Sequence, residues 1–261
     1  MARIACSLYI YAPPLIIKRK VMPIDILLTI IVVSVIQSIF GVGVLLFGTP
    51  ILLLLGYGFV DALGVLLPVS IAVNALQFVR HYEDLDTAFY KNILIYTVPM
   101  VVVFLWLVTS VKINVALVIG SVLIFVALKS FLPIIERLLK SIVVYERLYL
   151  MIMGAVHGMS NLGGSMLTII IYAKNYTKDK TRVTAAASYA TVATCQLITL
   201  LLLGTKFTIS YADKITFIQI GILMFLFTEE LLYKNIDNEK YSKLFAVFLF
   251  ISGILLILKS L

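Results

Sequence analysis

The stretch "SIFGVGVLLFGTPILLLL", Ser38 to Leu55, decides the fold, because it sets three glycines and a proline inside an otherwise unbroken apolar run. The run extends from residue 24 to 55, 32 residues in all. As one straight helix it would be about 48 Å long, against a hydrocarbon core of about 30 Å. Such an element has to break. Pro50 removes a helical hydrogen bond and Gly41, Gly43 and Gly48 lower the stiffness, so the break is expected among them. The same trouble returns in "GAVHGMSNLGGSMLTIIIY", residues 154–172, where four glycines alternate with Ser160, Asn161 and Ser165. Irregular backbone at membrane depth is tolerated only where protein or a wet cavity surrounds it.

Composition supports the membrane reading. Of 261 residues, 62% are hydrophobic and 13% charged, with a mean hydropathy of +1.11, where soluble domains are nearer half apolar and a quarter charged. The period-2 alternation of a transmembrane barrel is missing. Eight hydrophobic elements are expected, about 24–55, 59–80, 89–109, 112–134, 147–173, 182–204, 212–233 and 241–259. The fold class is therefore all-α and polytopic, with two elements broken. The polar connections are too short to bury a core of their own.

Several functions are excluded or disfavoured on these grounds. No Walker loop, HExxH pair or nucleotide-binding glycine fingerprint is present, which argues against ATP-driven pumping by this chain. Cys6 and Cys195 form neither a disulfide framework nor a zinc signature. No cofactor or metal is expected. The net charge of +8 lies beside apolar spans, as at membrane flanks, and does not indicate nucleic acid. Residues 1–22 read as an N-terminal extension: Lys18, Arg19 and Lys20 follow its apolar part, the reverse of a signal peptide, and Met22 is a candidate start.

The chain also looks duplicated, with one repeat over 23–134 and another over 147–261. Each broken element is followed by a helix of small residues, "DALGVLLPVSIAVNALQFV" and "TAAASYATVATCQLITLLL". A shift of about 118 sets Ser70 on Ser188 and Gln77 on Cys195. Interrupted spans at matching positions of two halves point to a secondary transporter's binding site. With eight simple crossings and the N-terminus inside, Lys and Arg divide 13 inside to 8 outside. If the broken elements are re-entrant, the parity changes and the second half inverts, which is the arrangement we favour.

Within this frame the candidate site residues follow. Ser70, Asn74 and Gln77 share one helical face, as do Thr184, Ser188, Thr191 and Cys195. Such groups either line a site or merely hydrogen-bond packed helices. The breaks are better candidates, because a helix that restarts presents free N–H groups and the positive end of its dipole to an anion. No Lys, Arg, Asp or Glu lies deep in either stripe, and a cation site would usually need a carboxylate there. His157 is either a proton carrier or anion ligand, or a cap at a helix break. Asp61 reads as a helix-start residue, and Arg80, His81, Glu229 and Glu230 as interfacial anchors, although Arg80 is also placed to gate an anion. Tyr145, Tyr149, Tyr172, Tyr211 and Tyr233 sit near span ends, as interfacial rings do.

At these positions the sequence resembles the TauE/SafE family of membrane permeases. The resemblance is carried by "FGVGVLLFGTPILLLLGYGFVDALGVLLPVSIAVN" and "GAVHGMSNLGGSMLTIIIYAKNYTKDKTRVTAAASYATVATCQL", and covers the chain from about Met22. Gly41-Val42-Gly43 stands where a glycine triplet is frequent. The resemblance implies a multi-pass protein of the cell (plasma) membrane that moves sulfite, organosulfonates or a similar small anion by alternating access of two pseudo-symmetric halves. The expected binding residues are Gly41, Gly43, Thr49 and Pro50 at the first break. At the second they are His157, Ser160, Asn161, Gly163, Gly164 and Ser165, with Asn74 and Gln77 completing the wall. The expected partners are the anion and the bilayer, and a homodimer is left open. Two alternatives stand beside this: an intramembrane hydrolase using Ser160 or Ser165 with His157, and a non-transporting subunit of a membrane complex.

Overall fold

The computed structural model describes residues 22–80, 82–111, 114–132, 143–232 and 238–261, without the side chains of 129–131, 230–232 and 238–245. The expectations for residues 1–21, His81, Tyr233, the Glu230 side chain and the connections at 135–142 and 234–237 lie outside the described residues. Ten helices follow in order: α1 Ile24–Phe40, α2 Val44–Leu54, α3 Phe59–Arg80, α4 Thr87–Ser110, α5 Val115–Phe131, α6 Glu146–Ser160, α7 Gly164–Ala173, α8 Lys178–Leu202, α9 Tyr211–Leu232 and α10 Asn238–Ser260. The chain is an all-helical, polytopic membrane protein. α3, α4, α8 and α9 are each long and apolar enough to span a bilayer.

The two long elements break as expected, but at one place each. α1 stops at Gly41, whose φ of 71° is left-handed and whose N–H bonds back to Gln37 O. α6 stops at Asn161, also left-handed at φ 62°, its N–H bonded to His157 O. Glycine takes this conformation freely and asparagine is among the few other residues that tolerate it. Gly48 and Pro50 do not mark the first break. Both lie inside α2, where a methyl group on Gly48 would come within 2.5 Å of Leu66 Cδ2.

Each broken element turns back on itself. Tyr57, just after α2, donates to Asp25 at the start of α1 (2.8 Å). Lys174, at the end of α7, pairs with Glu146 at the start of α6 (2.7 Å). α1–α2 and α6–α7 are thus re-entrant hairpins with tips at residues 41–43 and 161–163, and α3, α4 and α5 carry the chain between them. Three crossings are an odd number, so the second hairpin enters from the opposite face. Contacts at both faces agree. On one face Asn114 and Lys259 join the start of α5 and the end of α2 to the end of α10. On the other, Asn92 bonds Glu146, and Arg80, Arg182 and Glu229 come together. Helix packing recurs in matching pairs: α1 on α9 as α6 on α4, α3 on α9 as α8 on α4, with α3 against α8 and α5 against α10 between them.

Close packing on the second hairpin is made by small residues. Gly154 and Gly158 lie directly against the backbone carbonyls of Thr97 and Val101, where a Cβ would sit only 2.5 and 2.6 Å away. Thr97 closes a π-helical segment, Ile93–Thr97, within α4. Such segments reshape a helix locally and are frequent beside functional sites.

Candidate functional site

At the first tip the side chain of Gln37 bridges the break. Its Oε1 accepts the N–H of Val44, which opens α2 (3.1 Å), while its Nε2 donates to Gly41 O (2.9 Å) and to Asn74 Oδ1 (3.1 Å). Asn74 in turn donates to Ser70 O and Oγ. Gln77 is assigned with its amide oxygen toward Arg182, 3.2 Å from both Nε and Nη2, which leaves its nitrogen to donate to Asn74 Oδ1 (3.2 Å). Arg182 is buried at 9% exposure. The expectation that no Lys, Arg, Asp or Glu lies deep in either stripe is corrected here: α8 begins at Lys178, and its second turn carries Arg182 under the tip of the first hairpin. Glu229 is corrected likewise. It is no interfacial anchor but a buried carboxylate held by Arg182 and Arg80, at 2.5 Å each.

The second tip repeats this design with other residues. His157, four residues before Asn161 as Gln37 is before Gly41, accepts the Gly163 N–H on Nδ1 (3.1 Å). That bond leaves the proton on Nε2, which faces Gln196 Oε1 at 3.2 Å. Gln37 and His157 are 120 residues apart and Gln77 and Gln196 119, so by this offset Gln77 corresponds to Gln196 and not to Cys195. Asn161 crosses to the first hairpin, donating to Thr49 Oγ1 (2.9 Å).

Polar groups without partners gather at this second tip. Among the described residues four buried side-chain atoms lack a hydrogen bond: Ser34 Oγ, Asn161 Oδ1, Tyr189 Oη and Gln196 Nε2. Three belong to residues of the tip or of α8 beside it. Tyr189 lies so close over Gly164 that a Cβ there would be 1.3 Å from its hydroxyl. Gly164 and Ser165 open α7, so their N–H groups have no acceptor within the helix. A cavity is lined here by His157, Gly163, Gly164, Ser188 and Tyr189, with Ile93, Thr97, Met153, Leu167 and Val192 as neighbours. Its volume, about 20 Å³ of space for a water's centre, holds roughly one water.

Other expected site residues have structural duties. Ser160 donates to Val156 O and Ser165 to Leu162 O, and both ring nitrogens of His157 are already engaged. Gly43 fits against Gln37 and Ile36, where a Cβ would be 2.7 Å from Gln37 N. Pro50 is buried within α2. Asp61 ties the α8–α9 connection by accepting the Thr208 N–H (2.9 Å). Tyr149 is no interfacial ring: it is fully buried and donates to Met166 O, while Tyr145, Tyr172 and Tyr211 are exposed as expected.

Outside the spans, Asp86 fastens the connection before α4. Burial opposes its ionisation, but the Phe89 N–H, the Tyr176 hydroxyl, Lys180 and Lys174 outweigh it and hold its carboxyl below the usual value. Tyr57, at the base of the first hairpin, is pushed up to about 12 by burial and by its bond to Asp25.

Gln37, Tyr189, Arg182, Gln196 and Glu229 were not among the expected site residues. The sequence signal that finds Gln37 and Gln196 is the 119–120 residue offset read through His157 and Gln77. No curated relative and no solved structure matches the chain. Residues 26–256 match the family model described as sulfite exporter TauE/SafE, and over that length, with two inverted re-entrant hairpins meeting at Thr49 and Asn161, the chain belongs to the sulfite exporter TauE/SafE family of membrane transporters.

Proposed function

We propose that the protein is a plasma-membrane permease for a small oxyanion, sulfite or an organosulfonate, working by alternating access of two inverted halves, 23–134 and 147–261. The observation that carries this reading is the second tip. Tyr189 O–H and Gln196 N–H are donors buried there without partners, beside the Gly164 and Ser165 N–H groups that have no acceptor within α7, and no lysine or arginine is among them. A buried donor without an acceptor costs about 1–3 kcal/mol, which an anion's oxygens would recover. Neutral donors at a helix start also hold an anion without the tight grip of a formal ion pair, as a carrier that must release its cargo requires.

In this mechanism Gly164 lets Tyr189 approach the start of α7. His157, fixed as the Nε2–H tautomer by Gly163, orients Gln196 so that its amide N–H groups turn away from the ring. Asn161 and Thr49 join the tips, so that movement of one hairpin is felt by the other. Gln37, Asn74 and Gln77 hold the first tip in register. The hydrolase alternative is not favoured, since Ser160 and Ser165 spend their hydroxyl protons on nearby carbonyls and neither is bonded to His157.

The test is a melting assay on purified protein with a panel of sulfite, sulfate, short sulfonates and small carboxylates. A saturable rise in Tm with one oxyanion class, lost in Tyr189→Phe, is the expected result. The same rise in Tyr189→Phe, or none with any anion, would overturn the proposal.

A further inference from the structure

Glu229, Arg182 and Arg80 make an arrangement that neither the neutral site nor stability accounts for. Glu229 and Arg182 are 7% and 9% exposed, at the end of α9 and in the second turn of α8. Burying an ion pair roughly breaks even with an apolar replacement, and an intramembrane ionisable group more often serves function. Among the described residues two guanidinium groups face the Glu229 carboxylate, each taking one of its oxygens. Half-exposed Arg80 connects the cluster to water.

Position ties the cluster to the first break. Arg182 Nη2 lies 3.5 Å from Ser38 O in the last turn of α1, where a cation also meets the negative end of the helix dipole. Its stem runs beside Gly41, and its guanidinium meets the Gln77 amide that continues to Asn74 and Gln37. The residue matching Arg182 under the offset that relates Gln77 to Gln196, 119 positions earlier in the chain, is Leu63. One tip thus has neutral donors and the other a cation.

We propose that Arg182 and Arg80 form a second oxyanion position, at the first tip, which Glu229 fills as an internal anion whenever transported anion is absent from it. This rests on the permease reading above and names a separate, charged station for the same cargo. Exchange of the Glu229 carboxylate for an incoming oxyanion keeps an anion facing the Arg pair throughout. Once displaced, Glu229 no longer joins α9 to α3 and α8, and the first tip is freed to move.

The test compares wild type, Glu229→Gln and Arg182→Gln/Glu229→Gln by melting in sulfite and in sulfate, against a background of bulky buffer anions. Removing the internal anion is expected to tighten apparent anion affinity at least tenfold in Glu229→Gln. The double variant should lose that gain. Should Glu229→Gln fail to fold, Glu229→Asp carries the test, because its shorter reach weakens the internal competitor and should raise apparent affinity above wild type. Affinity in Glu229→Gln or Glu229→Asp no higher than in wild type overturns this proposal and leaves the second-tip site standing. So does a gain that persists without Arg182. Protection of Glu229→Gln in a background where wild type shows none supports the charged station while counting against the neutral one.

Discussion

Replacing Gly164 by alanine is the sharpest single perturbation of the site. The added methyl carbon would stand 1.3 Å from Tyr189 Oη and 2.6 Å from Cζ. Ordinary contact begins at 3.4 Å, so the hydroxyl must retreat by about 2 Å, more than a core side chain accommodates without leaving its rotamer. Overpacking of this kind costs about 1–3 kcal/mol. At roughly 2–4 °C per kcal/mol for a chain of this size, Tm should fall by about 2–12 °C. Anion-dependent stabilisation should disappear with it, because Tyr189 no longer faces the start of α7. The double variant Gly164→Ala/Tyr189→Ala removes the obstructing ring and should recover part of the lost Tm relative to Tyr189→Ala alone, without recovering anion binding. The comparison variant Gly48→Ala meets the flexible end of Leu66 and should cost less. A Gly164→Ala protein with wild-type Tm and wild-type anion response would refute the reasoning, as would a double variant whose losses simply add.

Three further outcomes follow from the fold. At Gly41 the nearest atom to an added Cβ is 3.9 Å away, so Gly41→Ala should cost only the left-handed strain of about 1–2 kcal/mol, and Gly41→Asn distinctly less; equal melting losses in the two would contradict this. The lowered pKa of Asp86 contributes stability that is present above its ordinary value of 3.8 and is lost as pH falls through its folded value. Asp86→Asn should therefore melt lower than wild type at pH 6, with the gap narrowing below pH 4, and a gap constant with pH would be the contrary result. Finally, the Lys and Arg with described side chains divide seven (Arg80, Lys91, Arg147, Lys174, Lys178, Lys180, Arg182) to three (Lys206, Lys214, Lys259) between the faces. The positive-inside rule then places the Arg80 face in the cytoplasm, so a cysteine at Lys178 should be shielded from an impermeant thiol reagent in intact cells and one at Lys206 labelled.

Much of the fold was legible because hydropathy and glycine are strong local signals: the spans, the two breaks, and the need for protein around them all come from short-range patterns. The exact place of the first break was blurred, since Pro50 is tolerated inside α2 while the left-handed turn needs only Gly41. Re-entrance was left conditional because it depends on contacts between segments, Tyr57 to Asp25 and Lys174 to Glu146, that spacing does not encode. The same holds for Arg182 and Glu229. Charges at the ends of apolar runs look alike whether they reach water or fold beneath a neighbouring hairpin, and only the packing of α8 and α9 against α1 tells them apart. His157 was visible as a lone polar residue, but its role emerges from Gly163 on one nitrogen and Gln196 on the other.

Counterflow of labelled sulfite in proteoliposomes tests the central claim most directly. The account predicts saturable, counter-substrate-driven uptake by wild type, reduced at least tenfold in Gln196→Leu; that variant also loses about 1–3 kcal/mol of stability, because the His157 Nε2–H is left without its acceptor, and is assayed at a temperature where it is folded. Absence of saturable uptake by folded wild-type protein, or full uptake by Gln196→Leu, would contradict it.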